Sequence, residues 1–154
     1  MMRRFFLFVL SICLFVACNS SSTNKSAQDT QQEQVYEVKK ISEQQFQDFV
    51  FNYNASPESR GYMGDKPCIV DCYASWCRPC KMIAPYFDSL AKLYGDKVNF
   101  YKIDVDEAKN LSEFFQIKSI PLVMFCDEEK IQFSSGAYPF YYYKNLIDSL
   151  LIQR

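Results

Sequence analysis

The chain has 154 residues, with 17 lysines and arginines against 18 aspartates and glutamates and no histidine. That near-neutral balance contains no basic run of the kind that binds nucleic acid, and zinc would have to be held without imidazole. Hydrophobic residues make up 49% of the chain and aromatic ones 17%, enough for one domain with a dense core.

Residues 1–17 read as a signal, not as part of the fold. Arg3 and Arg4 form a positive start, and residues 5–17 are apolar except for Ser11. That stretch is too short for a comfortable membrane span and fits the apolar core of a signal peptide. Leu14-Phe15-Val16-Ala17-Cys18 resembles a bacterial lipoprotein signal, with Phe15 where leucine is most usual. The resemblance implies cleavage before Cys18 and a lipid on its sulfur; the alternative is an ordinary secretory signal and a soluble periplasmic product. Several acyl chains anchor firmly, since each buried CH₂ adds about 0.8 kcal/mol. Residues 18–34 are rich in Ser, Thr, Asn and Gln and read as a disordered tether behind the lipid anchor. The sixteen residues after Cys18 would reach roughly 20–25 Å. Besides Cys18, the processed chain keeps Cys68, Cys72, Cys77, Cys80 and Cys126, an odd set that is not simply a disulfide scaffold.

Residues 35–154 form the domain. Residues 35–38 predict a short first strand. Ser42 starts a helix: Ser42 and Gln45 make a capping box, Ile41 and Phe46 sit at the staple positions, and Phe46, Phe49, Val50 and Tyr53 give the helical stripe. Residues 54–66 are a loop. Residues 68–74 are an apolar strand interrupted by Asp71, the pattern of a strand covered on both faces. A helix follows over 80–94, with Ile83, Phe87, Leu90, Ala91 and Tyr94 on one side, a kink expected at Pro85 and Gly95 as a left-handed cap. Residues 98–105 predict a strand, and Asp106 an N-cap for a short helix holding Leu111, Phe114 and Phe115. Strands over 122–126 and 130–133 form an antiparallel pair. The last helix starts at Phe140 and carries Tyr143, Leu146, Ile147, Leu150 and Leu151. The order β-α-β-α-β-α-β-β-α implies an α/β fold, a mixed sheet flanked by helices.

The chemistry concentrates in Trp76-Cys77-Arg78-Pro79-Cys80-Lys81. This dithiol lies at a strand-to-helix turn. Unpaired N–H groups and the positive dipole end there favour a thiolate over a thiol. Arg78 and Lys81 add positive charge, and Pro79 suits a first helical turn. A zinc site would have to recruit Cys68 and Cys72, which lie in the apolar strand and read as core. A static disulfide closing so short a loop stabilises little by chain entropy.

From residues 76–85, Trp-Cys-Arg-Pro-Cys-Lys-Met-Ile-Ala-Pro, the chain resembles the thioredoxin family over about 110 residues. The resemblance implies the thioredoxin fold and a set of site residues. Cys77 would attack a substrate disulfide and Cys80, the more buried, would resolve the mixed disulfide. Asp71 matches the family's buried aspartate and is the expected proton acceptor for Cys80. Lys102 matches the lysine beside it. Ile120-Pro121 matches the isoleucine and cis-proline facing the dithiol, and Gly136 the late glycine of the substrate groove, which Trp76, Arg78 and Pro79 would edge. Tyr73 replaces a second tryptophan, Leu122 replaces a threonine, and the turn at residues 127–130 lacks its glycine.

The expected function is a periplasm-facing, membrane-tethered disulfide reductase, monomeric and without a metal or cofactor. It would act on disulfide-containing exported proteins and draw electrons from a membrane or soluble thiol donor. An oxidase or isomerase on the same scaffold is one alternative. Relatives of that kind commonly carry histidine between the cysteines, which this chain lacks. Arg78 pulls toward oxidation, because a stabilised thiolate makes a more oxidising couple. A lipoprotein that captures extended peptides without turnover is the other alternative.

Overall fold

A computed structural model describes residues 35–152. The signal over residues 1–17, the lipid anchor Cys18 and the tether over residues 18–34 lie outside the described residues. Five strands form one mixed sheet in the order β1-β3-β2-β4-β5, where β1 is Lys39–Lys40, β2 Cys68–Tyr73, β3 Asn99–Asp104, β4 Leu122–Cys126 and β5 Ile131–Ser135. β1 and β2 run parallel to β3, and β4 is antiparallel to β2 and β5. Four helices cover the faces: α1 Glu43–Phe49, α2 Arg78–Tyr94, α3 Lys109–Phe114 and α4 Phe140–Ile147, the last continuing into a π-helical turn, Asp148–Ile152.

The alternation of side chains along β2 builds two cores. Cys68, Val70 and Cys72 point to one face, where they pack with Met124, Phe46 of α1 and Leu111 of α3. Ile69 points to the other, with Val123, Phe125, Ile83 and Phe87 of α2, and Tyr143 and Ile147 of α4. Cys68, Cys72 and Cys126 are fully buried free thiols, as their apolar contexts predict. Central β2 is buried along its length apart from half-buried Tyr73, whereas edge strand β1 is exposed and made of two lysines, a composition that discourages further strand addition.

α1 forms where the capping box predicts it. Gln45 N–H donates to Ser42 Oγ, and the Gln45 side chain accepts from Ser42 N–H. Ile41 and Phe46 are both buried in the same cluster. The helix stops at Phe49, which is 43% exposed, so Tyr53 reaches the core from the turn beyond, not from the helical stripe. The first strand also differs from expectation: it begins at Lys39, where the chain first comes alongside Tyr101 and Lys102, and not over 35–38. α2 runs unbroken through Pro85 and buries all five expected side chains. Gly95 is right-handed, φ −63°, and not a left-handed cap. It is glycine for another reason: a Cβ there would lie 2.3 Å from Cγ of Tyr36.

Two further expectations are corrected. Asp106 does not cap α3, whose N-cap is Ala108 with no side-chain hydrogen bond. β5 starts at Ile131 and extends to Ser135. The turn before it manages without glycine because Asp127 Oδ1 accepts from the backbone N–H groups of Glu129 and Lys130.

Candidate functional site

The site stands where β2 ends and α2 begins. Cys77 is the N-cap of α2 and Cys80 lies in its first turn, with Pro79 between them. The two are joined as a disulfide, and Cys77 Sγ accepts the backbone N–H of Cys80 at 3.2 Å. That N–H is one of the four a helix start cannot pair internally, so the sulfur sits where the helix dipole favours negative charge. Arg78 and Lys81 flank the pair and are exposed.

Cys80 is not the more buried of the two: each is 2% exposed. Ala74, half-buried Tyr73, Val105 and Ile120 cover them together. What distinguishes the sulfurs is what lies behind them. Asp71 sits in the middle of β2, paired in register with Lys102 of β3 and Val123 of β4. Its position in the β2 alternation sends it to the α2 face, toward Cys80. A cavity of about 150 Å³ is lined by Asp71, Cys80, Lys81, Lys102 and Tyr73. Cys77 does not line it.

Asp71 is 4% exposed, and its Oδ1 has no hydrogen-bond partner. Burial pushes its carboxyl up to about 7, with the Lys102 ammonium pulling the other way. The two residues make no ion pair within contact distance among the described residues. Desolvation outweighs the lysine because the carboxylate is enclosed while Lys102 is half-buried. Asp71 is therefore a carboxyl group that changes protonation near neutral pH, in a space it shares with one sulfur of the pair.

The opposite side of the dithiol is a groove. Ile120–Pro121 is a cis peptide bond. Gly136 N–H donates to the Pro121 carbonyl at 2.9 Å, so that carbonyl is already used, and the backbone left for an incoming strand is that of Ile120. Gly136 has φ +110°, a conformation that side-chain-bearing residues rarely adopt. Trp76 is 68% exposed and its indole N–H donates to Asp106 Oδ2 at 2.7 Å. This pins the ring as one wall of a groove of about 460 Å³ whose other sides include Val105, Lys109, Ile117, Lys118 and Ile120.

The structure thus gathers Asp71, Lys102, Trp76, Cys77, Arg78, Pro79, Cys80, Ile120, Pro121 and Gly136 around one strand end. Cys68 and Cys72 pack in the core on the α1 and α3 face, apart from Cys77 and Cys80, so these four do not meet as one ligand set. Asp106 is the residue that sequence reasoning assigned to a different task. Its place two residues after Asp104, whose Oδ1 accepts the Asp106 N–H, holds it at the groove. The signal available in the sequence was its position just past the strand that carries Lys102.

Comparison with known proteins agrees with this geometry. A family model described as Thioredoxin matches residues 37–141. The thioredoxin of Borreliella burgdorferi is 39% identical over 85 residues, which cover 55% of this chain and 72% of that protein. The chloroplastic M-type thioredoxin of Spinacia oleracea is 38% identical over 93 residues, 60% of this chain and 45% of its own length. The solved structure of Malassezia sympodialis thioredoxin superposes with a TM-score of 0.57 at 31% identity, covering 73% of this chain and 90% of that one.

Proposed function

The chain belongs to the thioredoxin family and is a thiol–disulfide oxidoreductase of the protein-disulfide reductase type; on that premise we propose that Cys77 and Cys80 reduce disulfides of exported proteins from a position tethered to a bacterial membrane through Cys18, facing the periplasm. One observation supports the proposed division of labour most directly. The unpartnered carboxyl of Asp71 shares a cavity with Cys80 and not with Cys77.

The reaction begins from the reduced dithiol. The Cys77 thiolate, stabilised by the start of α2, attacks one sulfur of the substrate disulfide. A mixed disulfide forms and the other substrate sulfur leaves as a thiolate. Trp76 and Ile120 hold the extended substrate against the dithiol, with the Ile120 backbone available to pair as an added strand would. Cys80 then gives its proton to Asp71, directly or through water in the cavity, and its thiolate attacks Cys77 Sγ. The second substrate thiolate departs, and Cys77–Cys80 is left as the disulfide. Two electrons have passed to the substrate, and a thiol donor, membrane-bound or soluble, must return them.

Two measurements test this reading. Catalytic amounts of the chain should accelerate reduction of insulin disulfides by dithiothreitol; no acceleration would leave a peptide-binding module. The reduction potential should fall nearer to about −270 mV than to about −120 mV, and a value near the latter would make the protein an oxidant. The tether is tested separately. The mature chain should begin at a lipid-modified Cys18 by mass spectrometry, and an unmodified start at another residue would exclude the anchor.

A further inference from the structure

The charges around the dithiol have the opposite sign to the rest of the domain. The whole chain carries net charge −1. The described domain is more acidic still, because Arg3, Arg4 and Lys25 lie before it and only Asp29 and Glu33 among the acids do. Yet the dithiol is edged by Arg78 and Lys81, and the groove beside it by Lys109 and Lys118. Arg78, Lys81 and Lys118 have no carboxylate within ion-pairing distance among the described residues. The one acid lining the groove, Asp106, is already engaged, by the Trp76 indole at 2.7 Å and by Lys109 Nζ at 3.5 Å. Nearby Glu107 is paired with Lys40 at 3.0 Å. Lys118 thus stands uncompensated in a groove whose walls, Trp76, Ile117 and Ile120, are apolar, and Arg78 stands uncompensated beside the adjoining dithiol.

We infer that this groove selects disulfides whose flanking residues are acidic, and that Lys118 is a principal specificity determinant. The inference rests on the reductase reading above and deepens it by naming the substrate class. An extended segment lying along Ile120 places its side chains alternately toward the groove and toward solvent. Apolar contact with Trp76 and Ile117 is indifferent to charge, so the unpaired ammonium of Lys118 and guanidinium of Arg78 decide between segments that otherwise fit equally. Opposite charges speed encounter and like charges slow it, and both effects fade with salt. A lysine-flanked disulfide meets the unpaired cations of Lys118 and Arg78, and the groove's one carboxylate, Asp106, is already engaged.

The test uses three symmetrical peptide disulfides, capped at both ends and differing only in Glu, Gln or Lys on each side of the cysteine. The reduced chain reacts with each in a stopped-flow instrument, followed through its single tryptophan. Each rate is divided by that of the same disulfide with dithiothreitol, which removes the effect of the charges on the disulfide itself. The normalised rate for the Glu peptide should exceed that for the Lys peptide by about tenfold at low ionic strength. The ratio should approach one in molar salt. Lys118→Glu should bring it to one or invert it. Lys97→Glu, which changes charge past the far end of the 17-residue α2, should leave it unchanged. Equal normalised rates for Glu and Lys peptides in the wild type would overturn the inference, as would a ratio that survives Lys118→Glu or collapses equally with Lys97→Glu. If dithiothreitol reduces all three peptides and the chain reduces none, the reductase reading itself fails and the inference falls with it.

Discussion

The described domain holds two groups of cysteines, and burial does not separate them. Cys68, Cys72 and Cys126 lie in β2 and β4 with no exposure, and Cys77 and Cys80 are each only 2% exposed. The difference is in what surrounds the sulfurs. In the sheet, desolvation pushes the Cys72 and Cys126 thiols well above their ordinary range, because no cation or helix end repays the loss of water. At the start of α2, Cys77 accepts a helix N–H and is flanked by Arg78, while Cys80 opens on a cavity that it shares with the Asp71 carboxyl. The helix terminus and the cavity thus set the dithiol apart, while Cys72, five positions before Cys77 along the chain, is packed in the core.

The sharpest way to break that contrast is substitution of the sulfurs themselves. Cys77→Ser should abolish insulin reduction, and Cys80→Ser should keep the first attack and accumulate mixed disulfides visible by non-reducing electrophoresis. Trapping by Cys77→Ser instead would reverse the roles. Cys68→Ala and Cys126→Ala should leave turnover intact.

The next effect is on stability. Asp71 titrates at about 7 in the fold against an ordinary value of 3.8. Between these the folded state holds a proton that the unfolded state has lost, so stability is full below pH 3.8 and falls as pH rises to 7. The penalty above pH 7 amounts to at most about 4 kcal/mol. Asp71→Asn should therefore be more stable than wild type at pH 8 in urea melts and indistinguishable at pH 4. A wild-type midpoint that is flat from pH 4 to 8 would contradict the buried, unpaired carboxyl.

On the sheet side, Cys126→Ser should destabilise by about 1–3 kcal/mol, because a more polar hydroxyl enters an apolar core with only the Cys68 thiol beside it. It should do so without changing the rate of the first attack. The smallest expected effect is at the groove wall. Asp106→Ala frees the Trp76 indole, and the loss of about one hydrogen bond's net contribution, about 1 kcal/mol, should slow peptide disulfides by about fivefold. An equal slowing of a small disulfide such as 2-hydroxyethyl disulfide would mean that Asp106 acts on the dithiol and not on the groove.

What the sequence made legible was local. The capping box at Ser42, the apolar stripe of α2 and the apolar run of β4 each carry their own signal, and all three elements stand where expected. Expectations failed where a distant partner decides. β1 begins at Lys39 because β3 passes there, and Gly95 is needed because Tyr36 crosses it. Asp106 looked like a helix cap because aspartate before a helical pattern usually is one; thirty residues earlier in the chain, Trp76 supplies a donor that no local pattern reveals. The thioredoxin pattern alone brings Asp71, Pro121 and Gly136 into the site, yet the cavity that Asp71 shares with Cys80 and not Cys77, and the equal burial of the two cysteines, are three-dimensional facts.

The proposed service of Asp71 to Cys80 and not to Cys77 is open to a direct pre-steady-state measurement. Reduced wild type and Asp71→Asn are mixed with a peptide disulfide between pH 6 and 8, and Trp76 fluorescence follows formation and then resolution of the mixed disulfide. The mixed disulfide should form at equal rates in the two proteins, and its resolution should be slower in Asp71→Asn by about 10²–10⁴-fold, the range for removal of a general base. Equal resolution rates for the two proteins across that pH range would contradict it and leave Asp71 a structural residue.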